Sequence, residues 1–168
     1  MNTAGSRLSP RMRRIAGRAM RAPAALDRPR LRWLLNLLSP APIVVLVHRG
    51  RHSGRIYTTP VEVIVEGAER GEIVVSPIWG ERTDWYRNVL AGGLVEVRLG
   101  GEGHRMEWRP LSDEERRAAT ATYRREHPVY GRAILRMLVA IHGLAGDPVE
   151  AVARALPMLA LRRPTSGQ

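Results

Sequence analysis

The sequence has no cysteine, no lysine and no phenylalanine. Without cysteine there is no disulfide, no thiolate nucleophile and no thiolate metal site. All 27 basic residues are arginines, which excludes a Walker-type phosphate loop and a Schiff-base mechanism, since both need a lysine amine. Aromatic side chains make up only 5% of the 168 residues, four Trp and four Tyr. The core must therefore come from Val, Ile, Leu and Ala, which leaves the aromatics for specialised positions. No apolar run approaches the roughly 20 residues of a membrane span, and the stretch Ala41–Val47 is only strand-length. The basic start lacks the continuous apolar segment of a secretory signal, so a cytoplasmic location is expected. The five histidines are scattered, with no HExxH or paired-carboxylate spacing, and no metal site is expected.

What is present is enough apolar material, 44% of residues, for one core of ordinary size. The formal charge of +11 calls for anionic partners, whether phosphate, polycarboxylate, nucleic acid or acidic lipid. The excess is concentrated early: residues 1–32 carry nine arginines and one acid, Asp27. Leu8, Met12, Ile15, Ala19 and Ala22 recur there at helical spacing, which predicts a basic amphipathic helix, interrupted at Pro23 and Pro29. Arg30–Leu38 is a second short helix candidate. Residues 1–40 thus read as a basic helical arm and 41–168 as the folded domain. Peripheral contact between residues 1–32 and an anionic membrane surface is one expected consequence.

From Pro42 the pattern changes to strands. Pro42–His48 is a β-branched and aliphatic run, Arg49–Arg55 a turn, Ile56–Val65 a second strand and Glu72–Ser76 a third. In the second, Val61, Val63 and Val65 alternate as the inward set against Glu62 and Glu66. Three strands with short connections predict an antiparallel meander. Asp84 is the expected N-cap of a short helix through Leu90. Leu94–Leu99 and Arg105–Arg109 are two further strands about the turn Gly100–Gly103. Ser112, with Glu115 three residues on, marks a helix start. Helix continues through Ile141, with a break near Pro128, and Asp147-Pro148 opens a last helix to about Leu161. Residues 162–168 read as a frayed tail. This order suits an α+β domain with an antiparallel barrel or half-barrel.

Three groups of residues can carry chemistry. In Arg49-Gly50-Arg51-His52-Ser53-Gly54-Arg55 the glycines let the backbone approach an anion and present its N–H groups. Ser53 adds a hydroxyl, and the arginine forks suit phosphate. A solvated basic hairpin tip is the plainer reading of the same residues. In Ser76–Asn88 a strand end, a glycine loop and a helix N-terminus adjoin Trp79, Trp85 and Tyr86, which can wall a planar ring. The plainer reading there is that Trp85 and Leu90 pin a surface helix to the barrel. In the third group, Tyr123, His127 and Tyr130 lie near helical spacing, and a phenol or imidazole can protonate a reduced substrate.

The stretches Gly50-Arg51-His52-Ser53-Gly54, Thr59-Pro60-Val61, Ser76–Gly80 and Asp84-Trp85-Tyr86-Arg87-Asn88 together resemble the deazaflavin-dependent nitroreductase family, over roughly Ile43 to Tyr130. The resemblance implies a split β-barrel with flanking helices, like that of FMN-binding oxidoreductases, and the deazaflavin F420 as cofactor. It implies that Gly50, Arg51, His52, Ser53 and Gly54 clamp the cofactor phosphate and acidic tail. His52 stands where the family pattern has Lys, and Arg49 and Arg55 add charge beside it. It further implies that Ser76, Pro77, Ile78, Trp79 and Gly80 line the deazaflavin ring, that Asp84, Trp85, Tyr86 and Asn88 flank it with Thr59 and Pro60 nearby, and that Tyr130, with His127, borders the substrate.

Three function classes follow. The first is an F420H2-dependent reductase passing hydride to a small molecule with an activated double bond, a quinone or a nitro group. The second is the same barrel using FMN, whose phosphate suits the same turn. The third is a non-catalytic binder of anionic surfaces. Specific nucleic-acid binding is not expected, because no aromatics are interleaved with the arginines. Oligomeric state is not legible.

Overall fold

The computed structural model describes residues 41–67 and 71–164. The expected helices within residues 1–40, and with them the basic arm, lie outside the described residues.

Seven strands and four helices make up the described chain. Strands β1 (Ile43–Arg49), β2 (Ile56–Glu66) and β3 (Ile73–Val75) come first, then helix α1 (Asp84–Asn88), continued by a looser turn, Val89–Gly93. Strands β4 (Leu94–Leu99), β5 (Glu102–His104) and β6 (Glu107–Pro110) follow. Helices α2 (Asp113–Glu126), α3 (Tyr130–His142) and α4 (Pro148–Ala155) precede a final strand, β7 (Leu159–Arg162). The strands form one sheet in the order β5-β4-β1-β2-β3-β7-β6, antiparallel at every pairing. The sheet is curled into a half-barrel with helices against it, the α+β split barrel that the sequence predicts.

The concave interior is filled. Val44, Leu46, Val61, Val63, Val75, Val89, Val97, Leu159 and Leu161 pack there with Trp85, Tyr86 and Met106. Each buried aliphatic side chain contributes about 1.5–3 kcal/mol relative to exposure, so this interior is a structural core and not a ligand cavity. A second layer lies on the outer face of the sheet. There Val74, Ala160 and Val65 meet Ala119 and Tyr123 of α2, and Leu135 and Leu138 of α3 meet Val149 and Val152 of α4. Pairing of β2 with β3 shifts register between Val63 and Val65, and this irregularity marks where β2 passes from the barrel cluster to the helix-side cluster.

Four sequence expectations need correction. The last helix ends at Ala155, not near Leu161, and β7 follows it, paired between β3 and the edge strand β6. Pro157 cannot extend a helix, and a strand buried on both faces reads as a plain apolar run that periodicity cannot tell from helix. Arg162, expected in the tail, closes this strand. The stretch after the glycine turn is two strands: Glu102 and Gly103 belong to β5, which pairs with β4, and Glu107–Pro110 pairs with β7. Thr83, not Asp84, is the N-cap of α1. Glu62 was read as solvent-facing, but helices cover the outer face of β2 and Glu62 is half-buried beneath them. The expected capping box of α2 is present, with Ser112 accepting from the Glu115 N–H and the Glu115 carboxylate accepting from the Ser112 N–H.

Candidate functional site

The β1–β2 hairpin carries the basic turn. Its backbone closes through Gly50 N–H to Arg55 O and Gly54 N–H to Gly50 O, both 2.8 Å, with Gly54 at φ 65°. Gly50 is needed for a different reason. A Cβ there would sit 2.6 Å from Ser53 Oγ and 2.8 Å from the Tyr57 ring, where Ser53 and Tyr57 hydroxyls meet at 3.2 Å. His52, Ser53 and Arg55 are exposed, and the His52 and Ser53 N–H groups bond to no other atom among the described residues. Exposed Arg49 donates to Gly54 O at 3.2 Å.

Arg51 points the other way. Its guanidinium reaches Asp84 at 3.2 Å and Asn88 Oδ1 at 3.0 Å, and its N–H donates to the same Oδ1 at 3.1 Å. Of the three arginines in the turn, Arg51 therefore fastens the turn to α1, and Arg49 and Arg55 are left facing outward. Because Asn88 Oδ1 accepts twice, its Nδ2 is the atom facing His48 Nδ1, 3.1 Å away. His48 Nδ1 must then be an acceptor and Nε2 the protonated nitrogen, donating to Thr59 Oγ1 at 3.0 Å. His48 is buried at 3% exposure. Burial pushes its pKa down from 6.5 to about 4, against the pull of the Asp84 carboxylate, so it is neutral near pH 7. Sequence reasoning did not select His48, although a lone polar residue ending the run Ile43–Val47 was the available signal.

A second feature lies on the outer face of β2. A cavity of about 130 Å³ is lined by Pro60 and Glu62 of β2, the loop residues Ser76, Ile78 and Trp79, Trp85 of α1, Thr120 and Tyr123 of α2, and apolar residues of α3 and α4. The loop is held by Ser76 Oγ donating to Pro157 O at 3.0 Å and by His142 Nε2 donating to Ile78 O at 2.8 Å. Gly80, at φ 77°, turns it toward α1, and Pro77 is fully buried beneath it. Trp79 is partly exposed at the loop and Trp85 buried. Tyr86, expected to flank the ring, instead points into the barrel core, where it packs edge-on against Trp85 with centroids 5.9 Å apart.

The polar end of this cavity is Glu62. Its Oε1 accepts from the Tyr123 hydroxyl at 2.5 Å and its Oε2 from the Tyr130 hydroxyl at 3.0 Å. Burial, and then the bond and charge of Glu62, push the Tyr123 phenol well above its usual range. His127 packs edge-on between the two rings, with centroids at 5.1 and 6.4 Å, and does not line the cavity. Tyr130 reaches the cavity through Glu62 rather than lining it. Tyr123 stands with His127 and Tyr130 in the third candidate group of the sequence, whereas Glu62 is in none of the three. The signal for Glu62 was an acid inside the otherwise apolar run Val61–Val65.

Strand β2 thus joins two features: Thr59 ties to the turn network, and Pro60 and Glu62 floor the cavity. A half-barrel carrying an apolar outer groove and a basic glycine turn defines a small α+β split-barrel ligand-binding domain. Residues 18–137 match the profile of the F420H(2)-dependent quinone reductase family, and the chain belongs to that family. It is accordingly an F420H2-dependent oxidoreductase with F420 as cofactor. Two solved structures are similar. An F420-H2 dependent reductase, FDR-A, is 22% identical, covers 72% of this chain and 94% of its own, and has a TM-score of 0.48. A domain-swapped dimer is 18% identical, covers 77% and 94%, and has a TM-score of 0.48. No curated protein matches the sequence. Of the two cofactors expected, F420 therefore stands and FMN is set aside.

The residues present fit such a cofactor. A Cβ at Gly50 would crowd the turn, two backbone N–H groups there have no protein partner among the described residues, and two outward arginines flank them. This is the donor set that phosphate takes.

Proposed function

We propose that the protein reduces small planar electrophiles, quinones first, with activated double bonds and nitro compounds as chemically related acceptors. The observation that carries this reading is the apolar cavity on β2, walled by Trp79 and Trp85 and ending at one carboxylate that gathers two phenols. F420 supplies the hydride when reduced.

The protein's own contributions are binding, orientation and a proton. Arg49, Gly50, His52, Ser53, Gly54 and Arg55 hold the phosphate and acidic tail. Arg51, Asp84, Asn88, Thr59 and His48 keep the turn in place. Pro60, Ser76, Pro77, Ile78, Trp79, Gly80 and Trp85 shape the ring site and keep water from it, and Tyr86 supports Trp85 from the core. The proton that completes the reduced acceptor comes from the cluster of Tyr123, Tyr130 and Glu62, in which Tyr123 lines the cavity, Tyr130 stands behind Glu62, and His127 packs against both rings.

The test is a titration of purified protein with F420 and, separately, FMN, then turnover of F420H2 with a quinone, an enone and a nitroarene. Tight F420 binding and fastest turnover with the quinone are expected. Turnover of none of the three, with F420 bound, would overturn the acceptor assignment.

A further inference from the structure

The chain carries a formal charge of +11, yet no arginine or histidine lines the cavity. Glu62 is the one charged side chain there, half-buried at the polar end of a largely apolar wall. Its carboxylate is held by the phenols of Tyr123 and Tyr130, which also bond to each other. No arginine pairs with it among the described residues. His127 packs on the two tyrosine rings and does not line the cavity.

Phenols give a carboxylate hydrogen bonds but no opposite charge. The negative charge of Glu62 therefore acts on a cavity with mostly apolar walls, where water screens it less than at a surface. A ligand bearing its own negative group is opposed there twice, by the loss of water and by the like charge. An uncharged ligand meets neither penalty, and for a cationic one the attraction offsets part of the lost hydration. The groups that suit an anion, Arg49 and Arg55, are exposed on the β1–β2 turn instead. Charge is thus sorted within the site, with arginines at the turn and a carboxylate at the cavity.

We propose that Glu62 sets the charge class of the acceptor, admitting uncharged and cationic quinones and turning away those that bear a carboxylate, sulfonate or phosphate group. This rests on the reading of the cavity as the acceptor site of the reductase. The charge of the whole molecule acts in the opposite sense, because at +11 its long-range field draws anions. A preference for a cationic over an anionic quinone therefore reports the local charge at Glu62 and not the average of the surface.

The test uses three naphthoquinones alike except for one substituent: methyl, sulfonatomethyl or trimethylammoniomethyl. Binding to the cofactor-free protein is read as quenching of tryptophan fluorescence, since Trp79 and Trp85 line the cavity, and kcat/KM is measured with F420H2. The wild type should prefer the cation to the anion in both. In Glu62→Gln this cation-to-anion ratio should fall about tenfold or more, because the charge is gone while an amide remains to meet the phenols. Glu62→Asp, which keeps the charge, should keep the ratio near the wild-type value. The intrinsic reactivity of each quinone, and any general loss of proton delivery, cancel when the ratio is compared between variants. The same ratio in wild type and E62Q, or an anion bound as tightly as the cation by the wild type, would overturn the proposal. The second outcome decides even where E62Q fails to fold. If no quinone is turned over while the binding ratio behaves as expected, the reductase reading falls and the charge selection at Glu62 stands.

Discussion

At Gly50 a single hydrogen decides whether the turn closes. Any side chain there meets Ser53 Oγ and the Tyr57 ring at under 3 Å, so Gly50→Ala must displace two of the groups around the candidate phosphate site. F420 affinity should fall about tenfold, or about 1.4 kcal/mol, and thermal stability should fall with it, because Gly50 is buried although the residues after it are exposed. Fluorescence titration alongside thermal unfolding checks both. Asn88 is the opposite case, a buried group whose amide satisfies Arg51 twice and His48 once. Asn88→Ala leaves buried partners unmade at about 1–3 kcal/mol, so it should lower both urea stability and F420 affinity. Normal affinity in a destabilised N88A would show that the turn does not depend on α1. The basic glycine turn was legible at this scale because glycine and arginine chemistry is local. His48 and Glu62 were not, because their meaning comes from residues 40 and 61–68 positions away.

Element boundaries were readable where a punctuating residue sat at them. Ser112 with Glu115 set the start of α2, and the αL residue Gly143 closes α3. The strands β1, β2 and β4 followed from β-branched runs. β7 was hidden because Leu159, Ala160 and Leu161 are all buried: with barrel interior on one face and helices on the other, no alternation survives. Only Pro157 separated it from α4. Its weight in the fold is large. Leu161 belongs to the barrel core, and β7 is hydrogen-bonded on both sides, to β3 and β6. Leu161→Ala should therefore cost about 2–5 kcal/mol, read as a lower urea midpoint with unchanged m-value. A loss below about 1 kcal/mol would mean that β7 is peripheral.

For the whole molecule, the same network that fastens the turn makes stability depend on pH. His48 has a folded pKa of about 4 against 6.5 for the free side chain. Between those values the unfolded chain binds a proton that the native protein refuses, so stability from this group rises with pH from about 4 to 6.5 and is level above. The full span is about 3 kcal/mol, a large share of the total for a domain of this size. The structural reason is visible in the donors: a protonated His48 would point an N–H at the Asn88 amide nitrogen, which has only N–H to offer back. Acid should thus loosen the hairpin turn and α1 together, lowering F420 affinity as the native state weakens. Urea unfolding across this pH range, comparing wild type with His48→Gln, isolates the group because the carboxylates are common to both. The wild type should lose up to about 3 kcal/mol more than H48Q on acidification. Parallel curves would mean that His48 takes its proton as readily in the fold as outside it, and the tautomer deduced from Asn88 would be wrong.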